Sequence, residues 1–247
     1  MVEGETGMKI LIISDVHGNL EALEAILAAT RGTFEELWCL GDFVGYGPDP
    51  NGCIDLLREH NVIGVMGNHD LGASRGESWD FFSPVARTMI EWTAGELTGD
   101  NRIWLKDLPE LRYQAGFTLV HGSPADPVWR YILDSSSAAE AFAAMNTEAG
   151  FCGHTHLPMV FSIDRRMIRH SLPRYGKSVK PSGLMWIANP GSSGIPRDGD
   201  SRAAFIIADT KSGRITFHRV SYPSRRTIVK LKRIDAPAQL IRLLETG

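Results

Sequence analysis

Five times along this chain, an apolar run of strand length stops and gives way to a short cluster of aspartate, asparagine and histidine. Lys9-Ile10-Leu11-Ile12-Ile13 ends in Ser14-Asp15-Val16-His17, and Leu37-Trp38-Cys39-Leu40 ends in Gly41-Asp42. Val62-Ile63-Gly64-Val65-Met66 ends in Gly67-Asn68-His69-Asp70, Phe117-Thr118-Leu119-Val120 in His121-Gly122, and a run at 150–152 in Gly153-His154-Thr155-His156. Carboxylates, amides and imidazoles are costly to bury and ligate metals well. Five of the eight histidines lie in these clusters, which chance scatter does not explain. In open α/β sheets, sites form beyond the carboxyl ends of strands, so clusters spread over 140 residues can meet in space.

The order of elements sets the fold class. Gly18-Asn19 introduces Leu20-Glu21-Ala22-Leu23-Glu24-Ala25-Ile26-Leu27, apolar at helical spacing with Asn19 as a cap, and a Gly/Pro-rich loop leads to a helix around 53–59. This β-α-β-α-β rhythm predicts an α/β core with a mostly parallel start to its sheet. Short strands then follow one another at 117–120, 150–152, 159–163, 184–188, 203–208 and 215–220, interrupted by a helix at 137–145. They predict a second sheet packed on the first, with helices outside. The segment 165–180 is basic and broken by Pro and Gly, as in a surface loop or hairpin. With no repeat or linker in 247 residues, a single domain spanning 1–247 is expected, 1–7 being a flexible N-terminal extension.

Composition excludes several classes. At 43% hydrophobic and 22% charged, the chain is not a disordered one. No apolar run reaches the ~18 residues that span a bilayer, so no membrane partner is expected. Cys39, Cys53 and Cys152 are an odd number without CxxC spacing, which suits a reducing cytoplasm and argues against a thiolate zinc site. Residues 1–123 carry 8 Lys+Arg against 19 Asp+Glu, and the remainder 18 against 10. The halves either neutralise each other in one fold or leave a basic face for an anionic partner such as nucleic acid.

In an extended segment residues two apart share a side, so Asp15 can converge with His17, and His154 with His156. Together the clusters offer Asp15, His17, Asp42, Asn68, His121, His154 and His156. Seven donors exceed one tetrahedral ion, but two ions bridged by Asp42 would each receive four, the arithmetic of a two-metal hydrolytic site. Imidazole and oxygen donors without thiolate suit Mn, Fe, Zn, Ni or Co better than Ca or Mg.

The ordered series DVH, GD, GNHD, HG and GHTH resembles the calcineurin-like metallophosphoesterases, particularly their compact bacterial and archaeal phosphodiesterase branch. The likeness extends over 8–220, includes GDFVGYGPDPNGC and NPGSSGIPRDGD, and departs from the family pattern at no motif position. It implies a four-layer α/β/β/α sandwich with two mixed sheets face to face, flanked by helices. It also implies one divalent ion held by Asp15, His17, Asp42 and His156, and a second held by Asp42, Asn68, His121 and His154, with Mn as the default metal. His69 would then stand beside the phosphate and outside both ligand sets, assisting the leaving group as a bridging hydroxide attacks phosphorus in line. Asp70 either orients the His69 ring or caps the following turn.

The expected activity is that of a metal-dependent phosphoesterase, a phosphodiesterase before a phosphomonoesterase, acting on a phosphodiester small molecule or nucleotide. Tyr46 and Arg197 are candidate substrate contacts, with loop packing and plain surface exposure as their alternatives. The six tryptophans are assigned to packing. A non-catalytic scaffold on the same fold, like the retromer subunit, is the alternative of another class; the intact ligand set counts against it. An HD-type phosphohydrolase is disfavoured because His69-Asp70 follows a β-branched run. No sequence feature indicates the oligomeric state.

Overall fold

Alternation along the first strand decides how the layers stack. In the computed structural model, which describes residues 7–165 and 167–246, β1 (Lys9–Ile13) sends Ile10 and Ile12 into one apolar cluster and Leu11 and Ile13 into another. A strand buried on both faces must lie between two layers. β1 pairs in parallel with β2 (Glu36–Cys39), and β2 with the short β3 (Ile63–Gly64). Helices α1 (Leu20–Ala29) and α2 (Pro50–Glu59) make the connections. The Asn19 side chain accepts the Ala22 N–H at 3.3 Å, as the sequence predicts for a cap.

The chain then enters a helical stretch, α3 (Asn68–Arg75), α4 (Pro84–Glu96) and α5 (Gly99–Lys106), before β4 (Leu111–Gln114) and β5 (Phe117–Val120) form a hairpin. None of α3, α4, α5 and β4 is anticipated by the reading of the sequence. Next come α6 (Ser135–Ala144), β6 (Ala149–Phe151), β7 (Met159–Asp164), β8 (Met167–Ser171), β9 (Ser178–Val179) and β10 (Met185–Asn189). β11 (Ala203–Asp209), β12 (Arg214–Val220), α7 (Ser224–Arg233) and α8 (Ala238–Thr246) complete the order.

Two mixed six-stranded sheets result, in the orders β3-β2-β1-β11-β12-β9 and β4-β5-β6-β10-β7-β8. Ile10, Ile12, Trp38, Leu119, Phe151 and Phe217 fill the space between them. The outer face of the first sheet packs on α1 and α2, and that of the second on α6. The expected sandwich is therefore present. The basic 165–180 segment supplies β8, the second strand of the β7–β8 hairpin, and β9, in keeping with the hairpin alternative. Opposite charge in the two halves is partly paired within the fold: Lys230 of α7 meets Glu21 at 2.7 Å and Asp49 at 2.8 Å. Among the described residues, no helix is long and apolar enough to cross a membrane. All but Gly7 of the expected N-terminal extension lies outside the described residues.

One expectation is corrected at the site itself. The apolar run at 62–66 is paired as a strand only over two residues. The Met66 N–H leaves the sheet for the Pro109 carbonyl at 2.8 Å, and Gly67 becomes the N-cap of α3. Asn68, His69 and Asp70 thus occupy the first turn of a helix rather than a loop.

Candidate metal centre

The polar clusters do not continue the strands that precede them. Asp15, His17, Asp42, His154 and His156 have φ values of 52°, 50°, 55°, 68° and 61°, in the left-handed region that residues bearing a Cβ seldom adopt. The same-side argument from extended backbone therefore has the wrong geometry. Asp15 and His17 do approach each other, at 3.9 Å, whereas His154 and His156 divide between two groups.

Main-chain bonds hold these turns together. The Asp15 N–H donates to the Gly41 carbonyl at 3.1 Å, the His17 N–H to the Asp42 carbonyl at 2.8 Å, and the Gly153 N–H to the His121 carbonyl at 2.8 Å. The glycine-rich 189–194 stretch braces them from behind. Ser192 Oγ donates to the Asp15 carbonyl at 2.8 Å, and Asn189 Nδ2 to the Gly153 carbonyl at 2.6 Å. These two bracing roles were missed in the sequence, although the likeness of NPGSSG to the family marked the stretch.

All seven candidate ligands are buried. Asp15, His17 and His156 place ligand atoms within 4.8 Å of one another, and so do Asp42, His121 and His154. Asp42 Oδ2 lies 3.5 Å from His17 Nε2 and 3.3 Å from His121 Nε2, between the two groups. Asn68 Oδ1 joins the second at 3.0 Å from His121 Nε2. Each group contains three of the four donors that the family resemblance implies for one ion. A third grouping, His17, Asp42 and His69, meets the same distance limit.

The donor chemistry fits divalent cations. His17 Nδ1 faces the Val44 carbonyl at 3.2 Å and His156 Nδ1 the Ile195 carbonyl at 2.5 Å. A carbonyl only accepts, so each Nδ1 carries the proton, and the two Nε2 lone pairs confront each other across 3.1 Å. That contact is repulsive in neutral rings and attractive toward a cation. Carbonyl partners that fix a ring's tautomer are the usual setting of a metal-ligating histidine. Burial also keeps these rings neutral: it lowers the pKa of His17 to about 4 and that of His156 well below its usual range. His154 falls to about 3 for the same reason, its Nε2 facing the Trp129 carbonyl at 3.0 Å.

The carboxylates demand positive charge. Burial raises Asp15 to about 6, and its Oδ1 has no hydrogen-bond partner. Burial likewise opposes the charge on Asp42, but His121 and His69 outweigh it and hold Asp42 well below the carboxylate range. For His121 itself, burial is overcome by Asp42 and Asp15, and its pKa rises to about 9. A proton there answers a local field that would also attract a metal ion.

His69 and Asp70 do not act as a pair. Asp70 Oδ2 accepts the N–H groups of Asp42 at 2.8 Å and Gly67 at 2.9 Å, and Oδ1 accepts that of Val44 at 3.2 Å. Asp70 thus closes the first turn of α3 back onto Gly67 and braces the loop after β2. The His69 Nδ1 has no partner, and the ring centre lies 4.6 Å from those of His17 and Tyr46. Gly45, at φ 131°, makes room for it: a Cβ there would meet His69 Nδ1 at 2.2 Å.

A cavity of about 400 Å³ opens over the centre. Asp42, Asn68, His69, His154 and His156 line it with both candidate substrate contacts, Tyr46 and Arg197. Tyr46 is buried, with its hydroxyl 3.4 Å from the Arg197 guanidinium. Phe81, Phe82, Trp129 and Tyr131, with the small Ser83 and Ala86, complete the wall. The sequence reading overlooked the four aromatic residues and assigned Trp129 to packing. Trp129 packs against the same core cluster as Trp79 and Trp104 and also lines the cavity, while Trp38, Trp92 and Trp186 belong to the other clusters.

Comparison with known proteins adds four findings. The family model described as the calcineurin-like phosphoesterase superfamily domain matches residues 8–213. An uncharacterised protein of Methanocaldococcus jannaschii is 34% identical over 245 residues, 96% of this chain and 98% of that one. The crystal structure of a metallophosphoesterase from Sphaerobacter thermophilus has a TM-score of 0.88 at 40% identity, covering 98% of this chain and 100% of that one. A symmetrical bis(5'-nucleosyl)-tetraphosphatase of Serratia proteamaculans is 30% identical over 157 residues, 58% of this chain and 52% of that protein.

Proposed function

Because the chain belongs to the calcineurin-like phosphoesterase superfamily, we propose that it is a phosphodiesterase working with two divalent metal ions. The observation that carries this is the position of Asp42 Oδ2 between His17 and His121, 3.5 Å and 3.3 Å away, with a group of buried donors on either side. Asp15, His17, Asp42 and His156 would hold one ion; Asp42, Asn68, His121 and His154 would hold the other. Mn is our choice for both, on the mixed imidazole and oxygen donors, with Fe, Ni, Zn and Co as competitors. Bound ions supply Lewis acidity toward the phosphoryl oxygens and an activated water for attack.

The chain's own groups do the rest. The imidazole of His69 lines the cavity beside the candidate ligands and offers a proton or hydrogen bond to the departing alkoxide. Burial lowers its pKa well below the usual range, so protonation there depends on a neighbouring negative charge, which a phosphate brings with it. Arg197 is the only lysine or arginine among the described cavity residues, and it sits at the rim to receive one phosphoryl oxygen. A single peripheral cation suits the monoanionic diester better than a dianionic monoester. Asp70 positions Asp42 and takes no part in proton transfer. We place the protein in the cytoplasm, in keeping with three unpaired buried cysteines. The same proposal treats residues 1–247 as one domain.

The test is hydrolysis of bis-p-nitrophenyl phosphate and p-nitrophenyl phosphate by metal-stripped protein, with Mn, Ni, Zn or Mg restored separately. Metal-dependent release from the diester in excess of the monoester is the expected result. Preference for the monoester would make it a phosphatase. No turnover by a protein holding two ions would leave the fold as a binding scaffold.

A further inference from the structure

We propose that the aromatic side of the cavity stacks a nucleobase, so that the phosphate ester presented to the centre is that of a nucleotide. The proposal rests on the phosphoesterase reading for the position of the phosphate. What it adds comes from four aromatic side chains, none of them a candidate ligand.

The cavity has two chemically distinct sides. Asp42, Asn68, His69 and Arg197 make one polar; Phe81, Phe82, Trp129 and Tyr131 make the other aromatic. Phe81 and Phe82 come from a turn of 3-10 helix, Trp79–Phe81, and its end. Trp129 and Tyr131 come from the loop between β5 and α6. The Trp129 ring centre lies 5.6 Å from that of Phe81 and 5.2 Å from that of Phe82, so the three rings form one continuous surface. Tyr131 carries it to the centre by lying flat on the His154 imidazole, at 3.8 Å and 5°.

Phe82 and Trp129 also pack against the core, but exposure separates the other two rings from ordinary packing. Phe81 is 78% exposed and Tyr131 44%. Large rings left in water around a concavity indicate a surface that is covered when the site is filled. The flat aromatic side has no amide or carboxylate side chain to read base edges, so it recognises a ring by its face rather than by its hydrogen-bonding pattern. Aromatic stacking of this kind changes affinity roughly five- to hundredfold per base. At about 400 Å³ the cavity lies within the usual range of small-ligand sites, with room for a phosphate and one base.

Calorimetric titration of the metal-loaded protein with adenosine 5'-phosphate and with ribose 5-phosphate, which differ only by the base, tests the proposal without requiring turnover. The nucleotide is expected to bind at least fivefold more tightly. Phe81→Ala, and in a second variant Phe81→Ala with Trp129→Leu, should close that gap. Equal affinity in the unaltered protein, binding of neither ligand, or a gap that survives in both variants would overturn the proposal. Turnover of bis-p-nitrophenyl phosphate with equal affinities would remove the base site alone. A base-dependent gap without turnover of any diester would remove the hydrolase reading alone.

Discussion

The carboxylate of Asp70 holds Asp42, accepting its backbone N–H at 2.8 Å, and makes no hydrogen bond to the adjacent His69 ring. Two further amides, of Gly67 and Val44, complete the set. Asp70→Ala would strand three buried N–H groups, each worth about 1–3 kcal/mol when left unpaired. We expect a loss of at least ~3 kcal/mol in denaturant unfolding together with reduced metal content by elemental analysis. Wild-type stability and metal content with depressed turnover would instead give Asp70 a part in the chemistry.

His69→Ala should lower kcat on the diester by about 10²–10⁴-fold, the range for a general acid or base. Both ions should be retained. Loss of an ion would place His69 among the ligands, as the distance-defined grouping of His17, Asp42 and His69 permits.

Gly45→Ala tests the same imidazole without replacing it. The new Cβ would lie 2.2 Å from His69 Nδ1, and φ at 131° disfavours any side chain. Turnover should fall at least tenfold while metal content stays unchanged. Full activity would mean that the position of the ring does not matter.

Metal removal should destabilise the fold measurably. Facing lone pairs on His17 and His156 at 3.1 Å and the unpartnered Asp15 Oδ1 lose the cation that reconciles them. Restoring a divalent ion at a hundredfold excess over its Kd should add ~2.7 kcal/mol per site, read as a rise in Tm. A Tm insensitive to Mn, Zn and Ni would contradict the centre.

A pH effect is expected far from the centre, where α7 docks. Glu21 accepts from Thr227 at 2.8 Å and pairs with Lys230 at 2.7 Å. Burial alone would raise its pKa, but these contacts outweigh burial and carry it below the ordinary 4.5. A depressed acid binds fewer protons folded than unfolded, so its stabilisation is complete above the unfolded value and is lost as pH falls through the folded one. Urea midpoints of Glu21→Gln and the unaltered protein should therefore differ at pH 7 and converge near pH 3. A constant difference would show that the charge of Glu21 contributes nothing.

The strands and the clustered buried donors were legible in the sequence because both are written in residue type. Apolar runs such as Lys9-Ile10-Leu11-Ile12-Ile13 show their burial directly, and the donors concentrate where those runs stop. α3 was illegible for the opposite reason: Asn68, His69 and Asp70 are polar and buried, so the helix shows no apolar stripe. In α4, buried Ala86, Met89, Ile90 and Thr93 do fall at helical spacing, and that signal went unread. The aromatic wall could not be inferred, since Phe81 and Trp129 are 48 positions apart and meet only through tertiary structure.

The left-handed turns at Asp15, His17, Asp42, His154 and His156 have a consequence for the life of the molecule. Each costs on the order of 1–2 kcal/mol against ordinary backbone, and the strain is present before any ion arrives. With the proposed two-ion centre, the chain would be at its weakest before the ions bind. In a metal-starved cell, degradation would remove the newly made molecules, and ion supply would set the abundance of the protein as well as its rate.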